Sequence, residues 1–433
     1  MKLPHGTPDR YGRRGGVEPH AGAAPHTEST TRRIASAGTP VGRSADTETL
    51  GPVRVDTRVR AAHAALAFAF LALGAIDGTW AARLPAIEHG LGLDSGQLGL
   101  VIFSVSIAAT LSLPVAGWLT ARRGSSGPTQ LGVYVGSLGL TLAAFAPGMW
   151  ALVPAACVMG VGIGTLDVAM NAHGVTLEER AGRPLLSALH GSWCIGLLSG
   201  SALAAVAAAA GAGPREQFPV VSLLLVGAAV FVLPRLLPGH EDVAQDTAHF
   251  ALPHGALALP AFLMFCSMFV ETATMNWSSV FLAGPVNAGA AVAASGVVVF
   301  SVAMAAARFG GDPLIARWGV AGLARRGGWL SAGGMLLALA TRSPVPSLVG
   351  LACVGAGCSA IVPALFRFAA GARGIASGAG IASAATMGYL GGVSNGPAIG
   401  FLAGGVGLTK ALGLVVIGSV LIALLGPRLE VRR

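Results

Sequence analysis

The sequence predicts an all-α integral membrane protein, with twelve transmembrane helices in two pseudo-symmetric six-helix bundles. Composition, a succession of apolar segments of bilayer-spanning length, and an internal repeat carry that prediction. Of 433 residues, 53% are hydrophobic and 11% charged, with mean hydropathy +0.69, too apolar and too charge-poor for a soluble protein. The 63 glycines suit helices that pack through small residues. A net charge of +9 does not point to nucleic acid, because the basic residues lie in the tail and in short loops, where they orient membrane helices. Cys157, Cys194, Cys266, Cys353 and Cys358 all fall in apolar segments. They are expected to be small buried hydrophobes, with neither a disulfide nor a metal site.

Residues 1–57 are rich in Gly, Pro, Thr, Ser and Arg and show no hydrophobic period, so a disordered cytoplasmic tail is expected. The tail lacks the apolar core of a signal peptide, which leaves two accounts of it: a cytoplasmic extension, or a start codon placed too far upstream. From Val59 on, apolar segments of about 20 residues, the length needed to cross a bilayer, follow one another with short breaks. Six of them, at 61–82, 96–120, 129–147, 150–173, 186–211 and 217–237, make an N-terminal bundle over 58–237. The interval 238–257 (PGHEDVAQDTAHFALPHGAL) is the longest polar stretch after the tail and reads as a central cytoplasmic loop. Six more, at 258–283, 291–314, 327–341, 346–368, 376–402 and 408–426, make a C-terminal bundle over 258–427, with a short cytoplasmic tail at 428–433.

Loop charges orient these spans. With the N-terminus inside, cytoplasmic positions hold Arg122, Arg123, Arg180, Arg183, Arg235, Arg317, Arg325, Arg326, Arg367, Arg373, Arg428, Arg432 and Arg433, while outer loops hold Arg83, Arg215, Arg342 and Lys410. The asymmetry puts both termini in the cytoplasm of a bacterial cell, with the chain multi-pass in the cytoplasmic membrane.

The repeat divides the chain in two. LTARRG at 119–124 matches LIARWG at 314–319, an offset of 195 that also aligns Gly160 and Gly162 with Gly355 and Gly357. A two-residue slip aligns FSV at 103–105 with FSV at 300–302, and Trp80 with Trp277. Two related six-helix bundles are the arrangement of secondary transporters, with a solute site between the halves near the midplane.

The stretch 160–174, GVGIGTLDVAMNAHG, carries the chemistry. Asp167 and Asn171 are one helical turn apart on one face, and an acid at membrane depth is a functional-site hypothesis by default. Met170 and His173 flank that face, and Gly160, Gly162 and Gly164 form a smooth ridge for a neighbouring helix. The repeat places Val362 opposite Asp167, so an acid is not a scaffold requirement. Two readings compete: a proton-coupling carboxylate, or a carboxylate paired with Arg180 or Arg183. Asp77, late in the first span, is a second such acid, or else it caps the outer helix end or pairs with Arg83.

In VETATMNWSSVF, Glu271, Asn276 and Trp277 suit a hydrogen-bonding and stacking surface for a sugar, or else a helix-packing polar network. Tyr389 and Asn395 in the eleventh span are candidates to face the cavity, although Gly391, Gly392, Gly396 and Pro397 around them indicate a kinked helix. Arg308 and Asp312, one turn apart, are expected to pair with each other. His190 and Trp193 open the fifth span, where a lone His near the interface is ordinarily solvated.

Gly117-Trp-Leu-Thr-Ala-Arg-Arg-Gly124 resembles the loop signature between the second and third helices of the major facilitator superfamily, and Gly311-Asp-Pro-Leu-Ile-Ala-Arg-Trp-Gly319 resembles its second-half copy. The resemblance covers residues 60–427 and implies the major facilitator fold. It makes Gly117, Arg122, Gly124, Asp312, Arg317 and Gly319 gating-loop residues. Both copies depart from the pattern alike, with Ala121 and Ala316 where an acid is usual. A finer resemblance is to the fucose-permease-like, sugar:proton symporter branch, through Asp167 with Asn171, Asp77, GAIDGTWAARLPAIEHGLGLDSGQLG at 74–99 and GGVSNGPAIG at 391–400. It implies proton coupling and sugar binding for Asp77 and Asp167.

The resulting expectation is a monomeric secondary active transporter. A proton gradient drives it, without any cofactor, and it moves a small neutral polar solute such as a monosaccharide across the lipid bilayer. Solute would bind at Asn171, Glu271, Asn276, Trp277, Tyr389 and Asn395. An exporter of an amphipathic compound is the alternative within the class, and a non-transporting membrane sensor or scaffold the alternative outside it. The spans hold no HExxH or paired metal-ligand motif and no Ser/His/Asp set at shared depth, so neither catalytic nor metal residues are expected.

Overall fold

A computed structural model describes residues 57–183, 185–238, 253, 255–309, 311–371 and 377–432. The N-terminal tail and most of the central loop expected from the sequence lie outside the described residues. Within them are fourteen α-helices: α1 (Thr57–Leu91), α2 (Ser95–Arg123), α3 (Ser126–Ala144), α4 (Met149–Ala181), α5 (Leu186–Ala209), α6 (Pro214–Val232), α7 (Ala258–Ala283), α8 (Ala290–Phe309), α9 (Gly311–Thr341), α10 (Pro344–Cys358), α11 (Ile361–Ala370), α12 (Ser377–Val406), α13 (Leu408–Ala411) and α14 (Gly413–Leu425). α10 with α11, and α13 with α14, run end to end as single apolar stretches, which makes twelve helical segments. Nine segments are long and apolar enough to cross a membrane, among the described residues.

Short turns join successive helices, which alternate in direction. One end of the bundle therefore carries the turns at residues 92–94, 210–213 and 284–289, and the other carries Gly124–Ser125. Local chemistry fixes several of these ends. Asp94 caps α2 in a reciprocal capping box, its carboxylate accepting from Gln97 N at 2.8 Å while the Gln97 side chain accepts from Asp94 N at 3.0 Å. His173 is fully buried and ties α4 to neighbouring turns, its Nδ1 2.6 Å from Ser125 Oγ and its Nε2 accepting from Leu237 N at 3.2 Å. That acceptance places the ring proton on Nδ1.

The repeat is a repeat of packing. Gly160 of α4 lies against the Val105 carbonyl of α2, where a Cβ would come within 2.2 Å; Gly355 of α10 lies against the Phe300 carbonyl of α8, where it would come within 2.4 Å. Gly162 meets Gly136 of α3, and Gly357 meets Ser331 of α9. All these pairs keep the offset of 195, so Val105 is the counterpart of Phe300 and the slipped FSV match is not a structural equivalence. The loop glycines match as well: Gly124 has φ 76, ψ 169 and Gly319 has φ 65, ψ 176. This backbone region is essentially closed to residues with a Cβ.

Two expectations are corrected. The eighth span ends at Phe309 rather than 314, and the segment expected as a loop belongs to α9, turned at Gly319. Leu314, Ile315 and Trp318 pack on Leu323, Ala360 and Ala364, an apolar contact that holds this segment helical against the bundle. The tenth span is likewise not continuous, since α10 stops at Cys358 and α11 starts at Ile361. Pro363 has no N–H to donate to the Ser359 carbonyl four residues back, and the helix breaks there.

Candidate functional site

A cavity of about 350 Å³ lies between the two bundles. Its polar lining comes from both halves: Asp77, Ser106, Thr110, Asp167, His190 and Trp193 on one side, and Glu271, Thr272, Asn276, Arg308 and Tyr389 on the other. His190, exposed at the start of α5, lies at its mouth toward the Gly124 end. Toward the opposite end the halves touch: Ser279 Oγ of α7 donates to the Ala81 carbonyl of α1 at 2.7 Å, and Gly99 of α2 meets Gly396 and Gly400 of α12. α4 does not pack extensively against α10 or α11 among the described residues. The cavity is thus open toward the Gly124 end and closed toward the other.

Of the predicted face of α4, Asp167 and Met170 line this space, while Asn171 does not and instead holds the acid. Asn171 Nδ2 donates to the Asp167 backbone carbonyl at 2.8 Å and to Asp167 Oδ1 at 3.1 Å, while Tyr389 Oη from the second half donates to Asp167 Oδ2 at 3.3 Å. Asp77 accepts instead from Trp193 Nε1 at 3.1 Å. Glycines make that contact possible. A Cβ on Gly74 of α1 would lie 2.1 Å from the Trp193 carbonyl, and one on Gly200 of α5 would lie 2.3 Å from the Ala75 carbonyl. The two helices therefore run close enough for a side chain of α5 to reach an acid of α1. The glycine ridge on α4 serves two neighbours rather than one, with Gly160 and Gly164 against α2 and Gly162 against α3.

Arg308 meets partners on α5, on α7 and at the end of α10 that the sequence did not point to. Its expected pairing with Asp312 falls on a side chain outside the described residues. Its Nη2 is 3.3 Å from Glu271 Oε1, its Nε donates to the Ser359 carbonyl at 3.1 Å, its Nη1 donates to Cys194 Sγ at 3.4 Å, and its guanidinium stands 5.7 Å from the Trp193 ring centre. The carbonyl that Pro363 leaves free is thus the one that Arg308 takes. Arg83, the other proposed partner of an acid, donates instead to Gln217 Oε1 at 2.5 Å and to the Ala212 carbonyl.

Other predicted residues separate. Asn276 and Tyr389 line the cavity; Trp277 and Asn395 do not. Trp277 is fully buried in the core, so it offers a solute no stacking face. Asn395 is fully buried behind Asn276, accepting from its Nδ2 at 3.4 Å and donating to the Gly392 carbonyl. The loop-motif residues stand at the Gly124 end, away from the cavity lining: Arg122 lies over Trp118 at 4.7 Å, and Arg317 is exposed. His190 packs on Phe70 with ring centres 5.0 Å apart. Its place at the cavity, like that of Trp193, follows from the α1–α5 approach, for which the i, i+4 glycines Gly74 and Gly78 on α1 and Gly196 and Gly200 on α5 were the available signal.

The cavity lining carries three carboxyls and one guanidinium. Glu271 makes an ion pair there; Asp77 and Asp167 make none among the described residues. No cluster of His, Cys, Asp and Glu that could hold a metal occurs among the described residues.

No family model matches the chain. It is 29% identical to an uncharacterised MFS-type transporter of Yersinia pestis, over 81% of this chain and 91% of that protein. It is also 29% identical to an uncharacterised transporter of Sinorhizobium fredii, over 84% of this chain and 97% of that one. Among solved structures, a D-xylose–proton symporter superposes with TM-score 0.70 at 12% identity, over 86% of this chain and 97% of its own. The nucleoside transporter NupG gives 0.63 at 16%, over 86% and 98%. These likenesses establish the fold of two pseudo-symmetric helical bundles, and the relatives named for an activity are transporters rather than enzymes.

Proposed function

We propose that this major facilitator superfamily transporter is a proton-coupled carrier that moves a small neutral polar solute, such as a monosaccharide, across the bacterial cytoplasmic membrane by alternating access. The observation that carries the reading is the pair Asp77 and Asp167: two carboxyls on one wall of the interdomain cavity, held by Trp193, Asn171 and Tyr389, with no ion pair among the described residues. A bare carboxylate resists passage through a closed, dry intermediate, so a proton bound there releases the switch between the two open forms. A cavity of about 350 Å³ has the size of a small-molecule site. Among proteins of this fold, one solved neighbour is a D-xylose–proton symporter. The carrier acts as a monomer, with its cavity built by the two halves of one chain.

Uptake of labelled sugars and small metabolites into proteoliposomes, with and without an imposed pH gradient, tests this. An acid-outside gradient should drive accumulation, and a protonophore should abolish it. Flux indifferent to the gradient would make the protein a uniporter and end the coupling proposal. The loop charges support cytoplasmic termini, so reporter fusions after Arg123, Arg180, His240 and Arg326 should report cytoplasm, and fusions near Gly92, Gly213 and Asn287 the outside. Any one of these reversed breaks the twelve-span arrangement.

A further inference from the structure

Resting on the transport reading above, we propose that Glu271 and Arg308 form a diol-reading subsite, so that the solute is a neutral polyhydroxylated molecule with two adjacent hydroxyls. Glu271 is 8% exposed and lines the cavity, and Arg308 holds its Oε1, but its Oε2 meets no hydrogen-bond partner among the described residues. An unmatched buried acceptor is costly, the more so on a charged group. Nearby donors are turned elsewhere: the Thr272 hydroxyl donates to the Met268 carbonyl at 2.7 Å, and Asn276 Nδ2 donates to Asn395. Oε2 is itself almost fully covered, so a donor from the cavity that Glu271 lines completes it when the carboxyl turns toward that space.

Beside that acceptor stands a fixed set of donors. Arg308 is anchored on three sides, by Glu271, the Ser359 carbonyl and Cys194. Those bonds engage three of the five N–H groups a guanidinium carries. Acceptor and donor thus lie side by side on packed helices. One hydroxyl would donate to Glu271 Oε2 while its neighbour accepts from Arg308. An anion fits worse, since it would confront Glu271, Asp77 and Asp167, and the paired Glu271 and Arg308 leave the subsite itself without net charge, which suits a neutral solute.

The test is binding to the full-length protein in detergent, read by tryptophan emission. The probes are D-glucose, D-xylose and myo-inositol, each beside its analogues lacking one hydroxyl at a time. At least one polyol should bind, with two adjacent positions whose removal weakens binding tenfold or more. In Glu271→Gln and Arg308→Lys that position-specific penalty should fall below threefold while penalties at the other positions persist; Lys keeps the charge but not the fork. A merely structural role would weaken every probe alike, and that result overturns the subsite. So does the absence of binding by any polyol, or a penalty pattern that both variants leave intact. Proteoliposome uptake separates this proposal from the transport reading. Proton-driven accumulation of a solute without adjacent hydroxyls sinks the diol subsite and leaves the carrier. Position-specific binding without flux does the reverse.

Discussion

Asp167→Asn should exchange solute across the membrane at close to the wild-type rate yet accumulate none against a gradient, its concentration ratio falling to about one. The amide keeps the size of the side chain and one hydrogen-bonding oxygen, and Tyr389 still has an acceptor. What it cannot do is ionise. If Asp167 carries the coupling proton, the variant is fixed in the state that mimics the protonated acid, free to switch with or without a proton, so solute equilibrates instead of being driven. Asn171→Ala should differ in kind. Its Nδ2 donates to Asp167 and does not titrate near neutral pH, so its loss should leave the Asp167 carboxyl less fixed at the cavity wall and weaken solute binding several-fold while gradient dependence persists. Counterflow and gradient-driven uptake measured side by side decide the matter. Wild-type accumulation by Asp167→Asn would make that carboxylate structural and pass coupling to Asp77 or Glu271.

Gly99→Leu should abolish net transport, by about 100-fold, by wedging open the end of the cavity that the structure shows closed. A single Cβ on Gly99 would lie 2.5 Å from the Gly396 carbonyl and 2.9 Å from Gly400 Cα, closer than any Cβ is tolerated, and backbone rather than a pliable side chain stands in the way. Overpacking by a methylene or more costs about 1–3 kcal/mol, and a whole isobutyl group against backbone exceeds that range. Where the two helices separate, in the oppositely open form, the substitution costs almost nothing. The equilibrium should therefore shift toward that form. A reporter cysteine at the cavity residue Ser106 (Ser106→Cys) makes the shift visible. An impermeant maleimide added at the residue-92 face should label it at least tenfold faster in the Gly99→Leu background. Unchanged labelling with normal flux would show that the α2–α12 contact is not a gate.

By itself the sequence determined the membrane class, the two-bundle division and the register between the halves. Each of these follows from local rules: spans from hydropathy and length, and the repeat from glycines whose spacing records close helix contacts. The offset of 195 that matched LTARRG to LIARWG is the one that superposes Gly160 on Gly355 and Gly124 on Gly319. The Asp167–Asn171 face was legible because both residues sit on one helix, where periodicity alone fixes their proximity. Pro363 was also in plain view as the cause of the break in the tenth span, although its consequence, a free carbonyl, has meaning only beside Arg308. The tertiary structure alone decided which polar residues from different helices meet. Trp193 reaches Asp77 across 116 positions and Tyr389 reaches Asp167 across 222, while Arg308 pairs with Glu271 on another helix. Trp277, as polar-tipped as its neighbours on paper, rotates into the core. In a helix whose every face is apolar, hydropathy does not say which face meets lipid, core or cavity; that is set by the packing of neighbouring helices.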